Sequence, residues 1–327
     1  DTRLGNAELA IDLGAQAIEI KWGQGAKDIG GEVKLPSLER ARQLKSRGYI
    51  VIPDPDDPTV VEAFNHGGFK EFERHSRLGM VDPNGFAKQV EKIRSLGAKQ
   101  VTLKTGAYRP ADLARAMRYS SDAGIDLLTI DGAGGGTGMS PWRMMNEWGV
   151  PTIYLESMAY GMAKKLEAQG RFVPDIAIGG GFSLEDHVFK AMALGAPYVK
   201  AVCMGRASMA PAMVGKHIGN WIAEGKLPKD IARYGDSVEQ IFVTAASLKE
   251  KYGDKFKEIP TAAIGMYTYL DRLGAGLQQF LAGARKFSLA NLSRSDLVAL
   301  TREASEVTGI PYVMESDEEQ VERILNA

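Results

Sequence analysis

A chain of 327 residues, 44% of them hydrophobic and 25% charged, is long enough to bury a large core without covalent staples. Lys and Arg total 40 against 41 Asp and Glu, so charge gives no reason to expect nucleic acid or an anionic membrane as partner. Cys203 is the only cysteine and His66, His75, His187 and His217 lack ligand spacing, which argues against disulfides and against thiolate-built zinc or iron–sulfur sites. No apolar run approaches the roughly 20 residues that span a bilayer, so a soluble, cytoplasmic protein is expected. The first residue is Asp1 rather than Met, which leaves room for a natural start upstream.

In chain order, a helix-like stretch four times ends in a small-residue turn and runs straight into a strand. The four stretches are Asp12-Leu-Gly-Ala-Gln-Ala-Ile18, Ser95-Leu-Gly-Ala-Lys-Gln-Val101, Asp122-Ala-Gly-Ile-Asp-Leu-Leu128 and Ala193-Leu-Gly-Ala-Pro-Tyr-Val199. A glycine past the last helical turn closes a helix in the left-handed conformation. Strands are expected near 17–21, 100–104, 126–131, 175–179 and 198–202, with helices over 111–123, 155–169 and 184–194. Ser183, with Asp186 three positions on, resembles a capping box for the last helix. Residues 28–90, rich in Pro, Gly and charge, read as a long excursion rather than as strands.

Alternating strand and helix at this spacing means an α/β fold with parallel βα units. Glycine-rich segments after several successive strands favour a (β/α)8 TIM-barrel type over a doubly wound sheet. Five strands are readable where a closed barrel has about eight, so the barrel is expected to be N-terminally incomplete, its early strands lying upstream. From residue 226 the chain turns helical, with amphipathic stretches near 236–251, 262–284 and 295–307. The expected organisation is therefore a barrel over 1–225 and a helical C-terminal extension over 226–327.

Three glycine clusters fall on expected barrel loops: Asp131-Gly-Ala-Gly-Gly-Gly-Thr-Gly138, Gly179-Gly-Gly181 and Met204-Gly-Arg206. Bare backbone lets amide N–H groups approach a ligand, and a helix starting just afterwards adds its positive end. Loops after the last two strands form the usual phosphate site of a barrel, where Arg206 adds a charge-assisted contact. Neither a Walker loop nor a dinucleotide fingerprint is present. Lys104 ends the strand Val101-Thr-Leu-Lys104, which puts its ammonium at the mouth. Lys21 and Lys27 bracket Trp22-Gly-Gln-Gly-Ala26, a basic loop suited to a carboxylate-bearing substrate.

Two of these segments carry a resemblance. Ile18-Glu-Ile-Lys-Trp-Gly-Gln-Gly-Ala-Lys27, followed by Gly30-Gly31 and Leu35-Pro36, resembles the signature of the glutamate synthase FMN-binding domain. Gly135-Gly-Thr-Gly138 with Ser140-Pro141 resembles the next marker of that family, and Gly149-Val-Pro151, Gly179-Gly-Gly181 and Ala193-Leu-Gly195 continue in the same order. The resemblance covers roughly residues 15–215 and implies an FMN-binding (β/α) barrel. It implies that Lys104 lies by the flavin ring, and that Gly135, Gly136, Thr137, Gly179, Gly180, Gly181, Gly205 and Arg206 hold the cofactor. It implies that Gln24 and Lys27 bind 2-oxoglutarate. The implied chemistry is hydride transfer from reduced FMN to 2-iminoglutarate, formed from 2-oxoglutarate and ammonia, giving L-glutamate.

The sequence departs from that family at three places. Residues 207–225 carry no cysteines for the family's iron–sulfur cluster, and these 327 residues include no amidotransferase with a leading cysteine. Electrons and ammonia are therefore expected from a separate electron-donor or amidotransferase subunit. Glu32 stands where a glutamine is expected, the family's arginine in the following helix is displaced to Arg47 or lost, and Pro53-Asp-Pro-Asp-Asp57 is acidic. An FMN barrel acting on another small carboxylate, or a non-catalytic flavin-binding subunit, stay open as alternatives.

Overall fold

The computed structural model describes residues 6–23, 33–75, 82–135, 147 and 149–327. Helix α1 (Asn6–Asp12) turns at Gly14 and leads into β1 (Ala17–Lys21). Next come β2 (Val33–Leu35), α2 (Leu38–Ser46), β3 (Ile50–Ile52), α3 (Pro58–Asn65) and β4 (Phe72–His75). Here the excursion holds strands that the sequence did not reveal. β2 and β3 both pair antiparallel with β4, forming a separate three-stranded sheet. Strands this short carry almost no periodicity, and packing makes them. Leu35, Ala41, Leu44, Val51 and Phe72 form a core, with the rings of Phe64 and Phe69 4.9 Å and 5.1 Å from that of Phe72.

The acidic stretch in this segment is locally compensated. Lys45 lies 2.5 Å from Asp54 and 2.9 Å from Asp56, and Arg42 lies 3.4 Å from Asp56. The Lys45 ammonium also holds the Asp54 carboxyl below its ordinary range.

α4 (Pro83–Ser95) starts where Asp82 accepts from the Gly85 amide at 2.7 Å. Then follow β5 (Gln100–Thr105), α5 (Pro110–Ala123), β6 (Leu127–Asp131), α6 (Thr152–Ala168), β7 (Asp175–Gly179), α7 (Glu185–Leu194) and β8 (Val199–Cys203). Each of the five strands read from sequence is present. Gly14, Gly97 and Gly124 take positive φ at the helix ends, as the repeat predicts. Gly195 does not take positive φ. Val199 fills the space its Cβ would need, and a cis Ala196–Pro197 bond follows.

The main sheet runs β1-β5-β6-β7-β8. The β1–β5, β5–β6 and β6–β7 pairs are parallel, with Lys21, Lys104, Thr129 and Ala177 in one register row. Every new strand adds to the same side, with no reversal of order. That is the winding of a barrel and not of a doubly wound sheet. One face of β5, β6 and β7 is apolar but for Thr105: Val101, Leu103, Leu128, Ile130, Ile176 and Ile178 are buried, as are Leu113, Met117 and Leu155 on α5 and α6. Strand alternation therefore puts Lys104, Thr129 and Asp131 on the opposite face.

The chain divides into two compact units, the first comprising 1–181, 194–201 and 297–327. In this unit the Tyr198 hydroxyl donates to Glu167 at 2.6 Å. Burial first, then Glu167, pushes that hydroxyl up to about 12. A folded pKa above the unfolded value of about 10 contributes stability that is complete below pH 10 and is lost as pH rises through 12. Tyr198→Phe should cost about 1.5–3 kcal/mol at neutral pH, the value of a bond to a charged acceptor. It should also flatten the stability loss between those limits. Guanidinium unfolding at pH 8 and pH 11.5 checks both.

The second unit comprises 182–193 and 202–296. It contains α8 (Arg206–Glu224), α9 (Lys229–Ala232), α10 (Val238–Ile241), α11 (Ala245–Tyr252) and α12 (Thr261–Gly283) around Ile218, Phe242, Leu248, Phe256 and Ile264. Residues 226–296 of the expected extension thus belong to the second unit. α13 (Arg302–Thr308) and α14 (Glu318–Leu325) belong to the first, where Ala299 and Ile310 pack on Leu194. No described helix is long and apolar enough to cross a membrane. Among the described residues no three His, Cys, Asp or Glu side chains are set to hold a metal.

Candidate functional site

In the first unit, Lys104 and Asp131 meet at the C-terminal ends of β5 and β6. The register pairs Lys104 with Thr129, so Asp131 sits two residues nearer the rim on the same face. Lys104 Nζ lies 3.3 Å from Asp131 Oδ2, with the side chains 25% and 13% exposed. The structure places Lys104 one residue before the end of β5 and gives it a partner the sequence did not suggest. Lys21 on β1 pairs in register with Lys104, so a second cation starts from the same face. The loop after β1 hangs on β5, because the amides of Trp22 and Gly23 donate to the Lys104 carbonyl at 2.8 Å and 3.4 Å. The Trp22 ring packs edge-on against Phe86 at 5.0 Å.

The first two glycine clusters are brought together. Gly132 N–H donates to Gly179 O at 2.8 Å, and Ala133 N–H donates to Val150 O at 3.0 Å. The Thr152 hydroxyl donates to Gly180 O at 2.8 Å, opening α6 against the β7 loop. Gly180 has φ 111°, and a Cβ there would lie 2.6 Å from Thr152 Oγ1 and 2.8 Å from Gly132 O. Neighbouring protein accounts for its bareness, whatever else the loop binds. Gly135 lies over Asp131, whose Oδ1 occupies the space a side chain at 135 would need.

In the second unit, Gly205 is the N-cap of the 19-residue helix α8 and supplies no side-chain cap, while Arg206 is its exposed first residue. A Cβ on Gly205 would meet nothing within 4 Å, so protein packing does not demand glycine here. The Tyr269 hydroxyl donates to Ser183 O at 2.7 Å in the same unit, and burial raises its pKa. Gln24, Lys27, Gly136 and Thr137 lie outside the described residues.

Residues 74–214 match the family model described as the conserved region in glutamate synthase. Over this segment the chain is similar to the glutamate synthase family. It is similar to a glutamate synthase large subunit-like protein of Rhizobium meliloti, 27% identical over 91% of this chain and 62% of that protein. It is also similar to an archaeal glutamate synthase (NADPH) of Methanocaldococcus jannaschii, 31% identical over 59% of this chain and 34% of that protein. A homologous enzyme of Archaeoglobus fulgidus matches at 29% over 57% of this chain and 33% of its own length. The chain thus spans less than two thirds of these curated relatives. Among solved structures, a lactate oxidase of Pediococcus acidilactici superposes with a TM-score of 0.42 at 13% identity, covering 89% of this chain and 56% of that one. At that distance the architecture rests on the strand order and register.

Proposed function

We propose that this glutamate synthase-like chain is a flavin-dependent oxidoreductase that reduces 2-iminoglutarate, from 2-oxoglutarate and ammonia, to L-glutamate. The observation that carries the proposal is Lys104, a cation fixed at the sheet's C-terminal rim by a carboxylate of the next strand. FMN, when bound, supplies the hydride for the imine carbon. Lys104 stabilises negative charge gathering on the reduced ring. Lys21, in register with Lys104, adds a cation for the substrate carboxylates, and by family resemblance Gln24 and Lys27 bind 2-oxoglutarate. Only Cys203 is available as a thiolate, so electrons are supplied by a separate donor rather than by a cluster within this chain.

The opening of α8 fits a phosphate group: a bare N-cap, open space before it and Arg206 beside it. Gly205→Ala should therefore weaken binding of inorganic phosphate at this helix start about tenfold, a cost of about 1.4 kcal/mol. Because the added methyl meets no protein atom, the thermal midpoint should move little, and phosphate titration beside calorimetry separates the two effects. The reaction itself is tested by supplying 2-oxoglutarate, ammonium and dithionite to FMN-loaded protein and measuring glutamate. Formation that requires both substrates and the protein supports the proposal. No glutamate from fully reduced, FMN-loaded protein would refute it.

A further inference from the structure

The geometry points to Asp131 as the positioning residue for Lys104, an assignment that deepens the proposed function and rests on it for the flavin readout below. A lysine ammonium on a four-carbon stem has many rotamers, so a rim lysine needs a fixed partner to keep its charge in one place. Asp131 meets that need. It is the last residue of β6, its neighbour in register is Gly179 on β7, and the Gly132 amide that follows it is tied to Gly179 O at 2.8 Å. Its carboxylate is 13% exposed and engaged on both sides: Oδ1 is packed under Gly135 and Oδ2 faces the Lys104 ammonium at 3.3 Å. A rigid acid thus orients a flexible base. Gly135 is bare because the carboxylate occupies its side-chain space, which gives that glycine a role in holding Asp131 as well as in any contact with the cofactor.

The test compares wild type, Asp131→Asn, Lys104→Gln and the double variant, first without flavin and then loaded with FMN. In the thermal unfolding of the apo proteins, the effect of Asp131→Asn should depend on whether Lys104 is present, because each charge answers the other. Equal shifts in both backgrounds would overturn the assignment without reference to flavin. In the loaded proteins, Asp131→Asn should lower the flavin midpoint potential towards that of Lys104→Gln and change nothing further in the Lys104→Gln background. A rise in potential would mean that Asp131 acts only as a nearby negative charge, and a fall that persists without Lys104 would mean that it acts through another group. Either result overturns the positioning role. Wild type that takes up no FMN would sink the flavin reading instead, and the apo comparison would still decide the role of Asp131.

Discussion

Lys104→Ala should slow reoxidation of the reduced flavin by 2-iminoglutarate by about 10²–10³-fold, the usual consequence of deleting a preorganised group that stabilises developing charge. FMN retention should fall far less, because the role given to the ammonium is to stabilise charge on the reduced ring, not to hold the cofactor. Stopped-flow absorbance of the flavin band measures the first quantity, and fluorescence titration measures the second. The substitution also leaves the Asp131 carboxylate partly buried without its 3.3 Å partner, which should cost about 1–3 kcal/mol of stability. The kinetic measurement should therefore be made well below the variant's unfolding midpoint. Equal losses in rate and in FMN affinity would remove Lys104 from the ring and make it a binding residue only.

The second large effect is on folding. Gly180→Val forces a β-branched residue into φ 111° and drives its Cβ within 2.6–2.9 Å of Thr152 Oγ1 and the Gly132 backbone. Backbone strain of about 1–3 kcal/mol adds to overpacking of about 1–3 kcal/mol. A total of about 2–6 kcal/mol compares with the roughly 5–15 kcal/mol that holds a typical domain together. Guanidinium unfolding should show a much lower midpoint, with loss of any flavin as a consequence. The glycine run alone suggests a different result, in which the new isopropyl group blocks a phosphate and leaves the fold intact. A variant that keeps the wild-type midpoint yet loses FMN would restore that simpler picture.

Gly180 and Gly205 show where sequence reading ends. They are indistinguishable as letters after a strand, yet the first is bare because Gly132 and Thr152 fill its side-chain space, and the second faces open space. What occupies a missing Cβ is a tertiary fact. Four of the five main strands were legible because each follows a helix-ending turn with a β-branched, apolar run, and β7 because a short apolar run leads into a glycine cluster. Lys104 was legible because it closes one of those runs. Asp131 was not, because its partnership depends on the β5–β6 register, which places it two residues past Thr129 and within reach of a lysine 27 positions earlier. β2, β3 and β4 were missed for another reason. Strands of three or four residues show no pattern of their own, and the clustered rings of Phe64, Phe69 and Phe72 that hold them looked like scattered aromatics in a polar stretch.

The acidic residues of the excursion likewise look different once folded. Asp54 and Asp56 are paired with Lys45 and Arg42, so their charge is answered within the same segment. Surface pairs of this kind contribute little stability, about 0–1 kcal/mol.

Titration of the purified protein with FMN tests the proposed chemistry most directly. The account predicts stoichiometric uptake that survives gel filtration, a yellow protein that bleaches with dithionite, and recovery of the colour on adding 2-oxoglutarate with ammonium. A folded protein that stays colourless in excess FMN would contradict it.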